Sequence, residues 1–261
     1  MTVLRVNNLF KRFGGLVAVN GVQFEFQKGE ISAVIGPNGA GKTTFFNMIT
    51  GIYAPDEGEI ELEGKSIVKI KPDRITEKGI ARTFQNIRLF GNMTVLENVM
   101  VGMHIHLKGG ILSTLLGLTK IRLEEQNAMD EAYRLLQYVG LEPHLNENAN
   151  SLSYGAQRRL EIARALAVKP KVLLLDEPAA GMNPRETKEL TELIRSIQQE
   201  LDVSIILIEH DMKLVMEISD HILVLDHGEK IAEGSPYEIR SNSRVIEAYL
   251  GKNALGQEVK S

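Results

Sequence analysis

Eight consecutive residues, Gly36-Pro37-Asn38-Gly39-Ala40-Gly41-Lys42-Thr43, satisfy G-x-x-x-x-G-K-[ST], the spacing of a phosphate-binding P-loop. The glycines let the backbone curl so that successive N–H groups point inward at phosphate oxygens. Lys42 is placed to set an ammonium between the β- and γ-phosphates, and Thr43 to offer its hydroxyl to Mg²⁺. Thr44 completes the set as the chain turns into a helix. An ordinary Gly-rich turn is the bland alternative. Context speaks against it: the apolar run Ile31 to Ile35 precedes the loop as a buried strand, and Thr44 to Ile49 follows as a helix. That helix start adds the positive end of its dipole. A second signal is Leu173-Leu174-Leu175-Asp176-Glu177. A buried strand ending in two carboxylates sets them at its C-terminal edge, where open α/β sheets bind ligands. Asp176 would hold Mg²⁺ through water, and Glu177 is the candidate general base for an attacking water. Many surface strands end in acids, so this signal gains its meaning from the P-loop. The third signal is Leu152-Ser153-Tyr154-Gly155-Ala156-Gln157, running into Arg158 to Leu166. Ser153 and the N–H groups near Gly155 stand at a helix N-terminus, ready for an anion; a simple Ser-capped helix is the alternative.

These groups need elements to position them. Residues 1–35 read as short strands with a turn at Gly14-Gly15, and Glu59 to Leu62 as a half-exposed strand after the turn at Ala54 to Gly58. Ile80 to Phe84 is a further short strand. From Val95 to Gly140 the pattern is mainly helical, which suggests a helical subdomain over about 87–150 inserted into a core of about 1–86 and 151–251. Val172 to Leu175 and Ser204 to Ile208 are continuous apolar runs, as central parallel strands require. Between them, Leu190, Leu193, Ile194 and Ile197 recur at helical spacing after Pro184. His221 to Leu225 and Lys230 to Ala232 flank a hairpin turn. Strands alternating with helices give an α/β fold in a single domain, 1–251, with a frayed tail at 252–261. The apolar stretch 109–118, bounded by glycines, reads as a short helix packed on the lobe's own core, or as a patch that docks a partner.

Composition narrows the possibilities. The chain has 261 residues, 43% hydrophobic and 25% charged, as a globular protein should. A net charge of −4 argues against a broad nucleic-acid surface. The absence of Cys excludes disulfides, thiol catalysis and cysteine zinc sites. No signal peptide and no membrane-spanning run is found, so an ATP-using chain of this kind is expected in the cytoplasm.

The segment Leu152 to Leu166 resembles the signature helix of ABC-type ATPases, with L-S-G-G-Q in variant form. The local strings Phe13 to Leu16, Ala81 to Gln85, Glu177 to Pro184, Ile208 to Met212 and Val245 to Gly251 look like those of the ATPase subunits of branched-chain amino acid importers. The resemblance implies a P-loop NTPase of ABC type: a mixed sheet core, an N-terminal antiparallel β subdomain and an inserted helical subdomain. It implies that Gln85 contacts Mg²⁺ and senses the γ-phosphate, that His210 hydrogen-bonds the γ-phosphate, and that Phe13 stacks on adenine. It also implies a pair of ATPase subunits, identical or related, with ATP held between the P-loop of one and Ser153 and Gly155 of the other. Transmembrane permease subunits would dock on the groove beside Gln85, on the cytoplasmic side of the membrane, with a solute-binding protein as an indirect partner. Tyr154 and Ala156 depart from the commonest signature, and Ala180-Gly181-Met182-Asn183 replaces the usual S-x-L-D. Other cargoes stay open: another amino acid, a urea-like solute, or an exported lipid or polysaccharide. A nucleic-acid-coupled ABC protein would be expected to carry zinc-binding cysteines, long coiled-coil insertions or two cassettes. A P-loop kinase would leave the signature helix unexplained.

Overall fold

Val172-Leu173-Leu174-Leu175 shows how the sequence builds this fold. Successive side chains of a strand point to opposite faces, so a run apolar at every position must be covered twice. In the computed structural model, which describes residues 1–103 and 118–250, it is. Val172 and Leu174 enter one hydrophobic core, and Leu173 and Leu175 the other. Ile205 to Ile208 divide in the same alternating way.

Among the described residues, ten strands form two sheets. An antiparallel sheet has the order β2-β1-β4-β5, from β1 (Thr2–Phe13), β2 (Leu16–Gln27), β4 (Glu57–Leu62) and β5 (Lys65–Ser66). The mixed sheet has the order β10-β9-β3-β8-β7-β6, from β3 (Ile31–Ile35), β6 (Ile80–Arg82), β7 (Val172–Asp176), β8 (Ser204–Ile208), β9 (His221–Asp226) and β10 (Glu229–Gly234). Only the β9–β10 hairpin is antiparallel there. The expected mixed core and N-terminal antiparallel sheet are both present. The first strands are longer than expected, twelve residues each, because bulges let them continue through Gly21 and past Asn8. The strand expected over Ile80 to Phe84 ends at Arg82, since the Phe84 N–H leaves the sheet and donates to Glu161.

One core lies between the antiparallel sheet, helix α1 (Lys42–Ile49) and one face of the mixed sheet. The other face is covered by α5 (Tyr154–Leu166), α6 (Pro184–Leu201) and α7 (Met212–Ile218). Between α1 and α5 come α2 (Pro72–Glu77), α3 (Val95–Met103) and α4 (Leu118–Tyr138); α8 (Pro236–Arg240) and α9 (Ser243–Leu250) close the chain. Helices α3 and α4 share a third core with α5, around Val99, Leu136 and Leu160. The apolar stretch singled out at 109–118 lies outside the described residues, save that Leu118 begins α4, and so does the tail from 251. Among the described residues, no helix is long and apolar enough to cross a membrane.

Candidate active site

Strands β3, β6, β7, β8 and β9 run parallel, so their C-terminal ends reach the same edge of the sheet. The loops that leave that edge carry Gly36, Gln85, Glu177 and His210. The chemistry is gathered there by strand direction alone.

The P-loop wraps from β3 into α1. Gly36 has φ 147° and Gly41 φ 99°. A Cβ at Gly36 would lie 2.0 Å from the Leu225 carbonyl oxygen, and one at Gly41 2.4 Å from that of Ala18. Only glycine fits either place. Lys42 is buried, and its Nζ donates to the carbonyls of Gly36 at 2.7 Å and Pro37 at 2.9 Å. Burial pushes its ammonium below the usual lysine range, while Glu177 and Asp176 pull it back up. Asn38, Gly39, Ala40, Gly41, Lys42, Thr43 and Thr44 line a cleft of about 420 Å³ with Phe13, Glu177 and His210. Leu16 and Val17, exposed on β2, extend its apolar wall beside Phe13. The Phe13 ring is held edge-on to Tyr53 at 5.2 Å and carries the Lys11 ammonium 5.5 Å from its centre.

Glu177 stands opposite the loop. Its φ of 47° is left-handed, which costs a non-glycine residue roughly 1–2 kcal/mol. Two backbone bonds hold it there: its N–H donates to Ile208 O at 2.9 Å, and its carbonyl accepts from Ala180 N at 3.2 Å. Each carboxylate oxygen has its own donor. Gln85 Nε2 donates to Oε2 at 2.8 Å, and His210 Nε2 lies 2.8 Å from Oε1. Against an ionised carboxylate, which only accepts, the imidazole donates through Nε2. Three residues from three loops are thereby joined directly.

The structure separates other expected members. Ser153 caps α5, its hydroxyl accepting from Ala156 N at 3.4 Å. With Gly155 it lines a small cavity against Met182 and Glu186, not the chain's own cleft. Asp176 is buried, and its Oδ2 accepts from Arg82 Nη2 at 2.6 Å. Arg82 Nη1 donates to Asn47 Oδ1 on α1, also at 2.6 Å. Asp176 is not among the residues that line the cleft, and its carboxylate is paired with Arg82.

The donor set fits a polyphosphate: a glycine cradle, a helix N-terminus and a lysine meet in one cleft. Among the described residues, no group of three or more His, Cys, Asp or Glu could hold a metal ion unaided. Magnesium beside phosphates takes much of its coordination from substrate and water, so a Thr hydroxyl and one or two further oxygens fit it.

Sequence reading missed four residues here. Arg82 ties β6 to β7 and α1. Arg158, fully buried on α5, donates to the Phe84 carbonyl at 2.6 Å, the Gln85 carbonyl at 2.9 Å and Glu161 at 2.8 Å. Glu161 in turn accepts from the N–H groups of Phe84 and Arg88, both at 3.3 Å. Glu209 is buried beside His210. A usable signal existed for the pair: Arg158 and Glu161, three apart, lie among the apolar residues of α5 that face the core.

Comparison with known proteins agrees with this geometry. Residues 19–180 match the family model "ABC transporter", and 229–254 match "Branched-chain amino acid ATP-binding cassette transporter". The high-affinity branched-chain amino acid transport ATP-binding protein LivG of Salmonella typhimurium is 51% identical over 96% of this chain and 98% of its own. The crystal structure of a nucleotide-free ATP-binding cassette from an ABC transporter superposes with a TM-score of 0.84 at 34% identity, over 97% of this chain and 100% of that one. A dimeric structure of a bacterial ABC transporter cassette gives 0.75 at 26% identity, over 89% and 98%. The cradle, the paired Glu177 and His210 and the signature-type helix thus occur on one chain that matches such proteins from end to end, and the chain belongs to the ABC transporter family, as an ATPase subunit akin to the branched-chain amino acid transport ATP-binding proteins.

Proposed function

We propose that this ATPase powers the uptake of branched-chain amino acids, working as a pair at the cytoplasmic face of a membrane permease. The similarity to LivG over 96% of the chain supports the cargo. The observation that carries the mechanism is the Gln85–Glu177–His210 chain facing the P-loop cleft.

ATP enters with its phosphates in the 36–44 loop and its base beside Phe13, Leu16 and Val17. Lys42 turns from its own loop carbonyls to the β- and γ-phosphates. Mg²⁺, when bound, neutralises charge on the phosphates; Thr43, Gln85 and Asp176 are the residues that would hold it, Asp176 through water. Glu177 accepts the proton of the attacking water, which requires Gln85 or His210 to release one carboxylate oxygen and turn to the nucleotide. Ser153 and Gly155 line a cavity that shares no residue with the chain's own cleft, which supports their serving the nucleotide of a second subunit. Closure of that pair converts binding energy into motion. The core of 1–86 and 151–251 holds nucleotide, and the segment 87–150 acts as the lobe that meets the permease. A groove of about 420 Å³ lined by Ile52, Phe84, Phe90, Val101 and Ala165 is the dock for a permease helix.

Uptake of labelled leucine, urea and glutamate by membrane vesicles that contain the complex tests the reading. Leucine uptake that needs ATP and is lost with Glu177→Gln supports it. Uptake of urea alone moves the cargo to the amide class, and export of label reverses the direction.

A further inference from the structure

Glu209 is a carboxylate in an unusual place. It directly follows β8, is only 4% exposed, and among the described residues makes no ion pair with Lys, Arg or His. Taking such a group out of water is costly, and an apolar side chain would fill the space more cheaply. What compensates it is backbone. Oε1 accepts from the N–H of Ala179 at 2.8 Å, and Oε2 from the N–H of His210 at 3.1 Å. Burial pushes its carboxyl above the usual range, and the N–H groups of Ala179, His210 and Asp211 act against that shift.

These donors belong to two different loops. Ala179 stands two residues after Glu177, in the turn that runs through Ala180 to Asn183 into α6. His210 and Asp211 form the turn that opens α7, where Asp211 caps the helix by accepting from Lys213 N at 2.9 Å. The loops leave adjacent strands, since Asp176 pairs with Ile208. Past that pair, β7 and β8 share a single further backbone bond, Glu177 N to Ile208 O. The Glu209 side chain is the next tie.

We propose that Glu209 is a positioning residue for hydrolysis: its one carboxylate locks the Glu177 loop to the His210 turn and so sets the spacing of the two side chains that meet at 2.8 Å. This rests on the hydrolytic roles given above to Glu177 and His210. Glu209 does not line the nucleotide cleft, so it acts through its neighbours. Glutamine at this place keeps one acceptor oxygen but turns an NH₂ toward the second N–H. Alanine removes both acceptors and leaves two part-buried N–H donors without this partner.

The test uses the full chain with Glu209→Ala, Glu209→Gln, His210→Ala, Glu177→Gln and the Glu209→Ala/His210→Ala double variant. Turnover, KM for ATP and affinity for a fluorescent ATP analogue are measured for each. Glu209→Ala lowers kcat by about 10²-fold, the scale for a displaced reacting group, with KM and analogue affinity within about two-fold of the parent. Glu209→Gln falls between. In the His210→Ala background the same substitution costs less than about ten-fold, because part of what it positions is already gone. Multiplicative losses in the double variant, or a loss of affinity matching the loss of kcat, overturn the proposal and make Glu209 a general fold residue. Should Glu209→Ala fail to bind nucleotide at all, the comparison passes to Glu209→Gln, where an unchanged kcat overturns it equally. Inactive Glu177→Gln and His210→Ala beside a fully active Glu209→Ala sink this proposal alone. Full activity in Glu177→Gln or His210→Ala sinks the hydrolytic reading beneath it.

Discussion

Glu177 and Lys42 face one another across the cleft, and they should fail in different ways. Glu177→Gln keeps the side-chain volume and leaves the P-loop untouched, but it removes the proton acceptor. Turnover should fall by about 10² or more, the ordinary contribution of a general base, while nucleotide affinity persists. The variant should then accumulate as an ATP-bound pair, seen as a shift to dimer mass on a sizing column. Lys42→Ala removes a direct charge from the phosphates. It should weaken binding by about 2 kcal/mol, the worth of a charge-assisted hydrogen bond, or about thirty-fold in Kd. Ser153→Arg provides the contrast, because Ser153 lines a different cavity from the cleft. In dilute monomer its nucleotide affinity should match the parent, and only the cooperative, paired ATPase should be lost. Equal loss of monomer affinity in both variants would contradict the shared site.

At the scale of elements, the Gln85 loop is held from behind by α5. The Arg158–Glu161 pair has both side chains within 1% of full burial and binds the backbone of the loop at four points. Burial pushes the Glu161 carboxyl up even beside Arg158, so desolvation outweighs the ion pair. Such a pair does little for stability by itself. Breaking it from one side is a different matter: Arg158→Ala strands Glu161 and two backbone carbonyls, at a cost of about 3–5 kcal/mol. Urea unfolding should show that loss in the midpoint. Replacing both residues together, Arg158→Met with Glu161→Leu, removes the stranded charge but also the partners of the Phe84 and Gln85 carbonyls and of the Phe84 and Arg88 N–H groups. It should therefore recover only part of the stability and not the ATPase coupling, because the Gln85 loop would lose its tether. A double variant as unstable as Arg158→Ala alone would refute this account.

For the whole molecule, the proposed dock for the permease is the groove between the β6 loop and the helices α3 and α5. Phe90 is 49% exposed at its rim, with the Arg164 guanidinium 5.6 Å from its ring. Buried aromatic anchors in such patches can cost about 2 kcal/mol or more when lost. Phe90→Glu should therefore reduce recovery of the permease in a pull-down from detergent-solubilised membranes. Hydrolysis by the free subunit should continue, since Phe90 does not line the nucleotide cleft. Unchanged recovery of the permease would remove this rim from the interface. Loss of ATP binding would instead make Phe90 part of the lobe's own packing.

The P-loop was legible in the sequence because its chemistry is local: eight consecutive residues carry the glycines, the lysine and the hydroxyl. The buried strands were legible for a similar reason, since a continuous apolar run has one comfortable place in an α/β sheet. The acid pair at the end of β7 and the capped helix at Ser153 could be read from contiguous residues as well. What no local pattern contains is the choice of partner for a charge. Asp176 and Glu177 are neighbours in sequence, yet one is buried against Arg82 from β6 and the other faces Gln85 and His210. That sorting follows from the alternation of strand faces and from a left-handed backbone at Glu177. Gln85, Glu177 and His210 lie 92 and 33 residues apart. Only the parallel order of β6, β7 and β8 brings their loops to one edge of the sheet. The roles of Arg82, Arg158 and Glu209 were hidden for the same reason: each is defined by backbone groups or side chains on another element, and those meet only when the chain is folded.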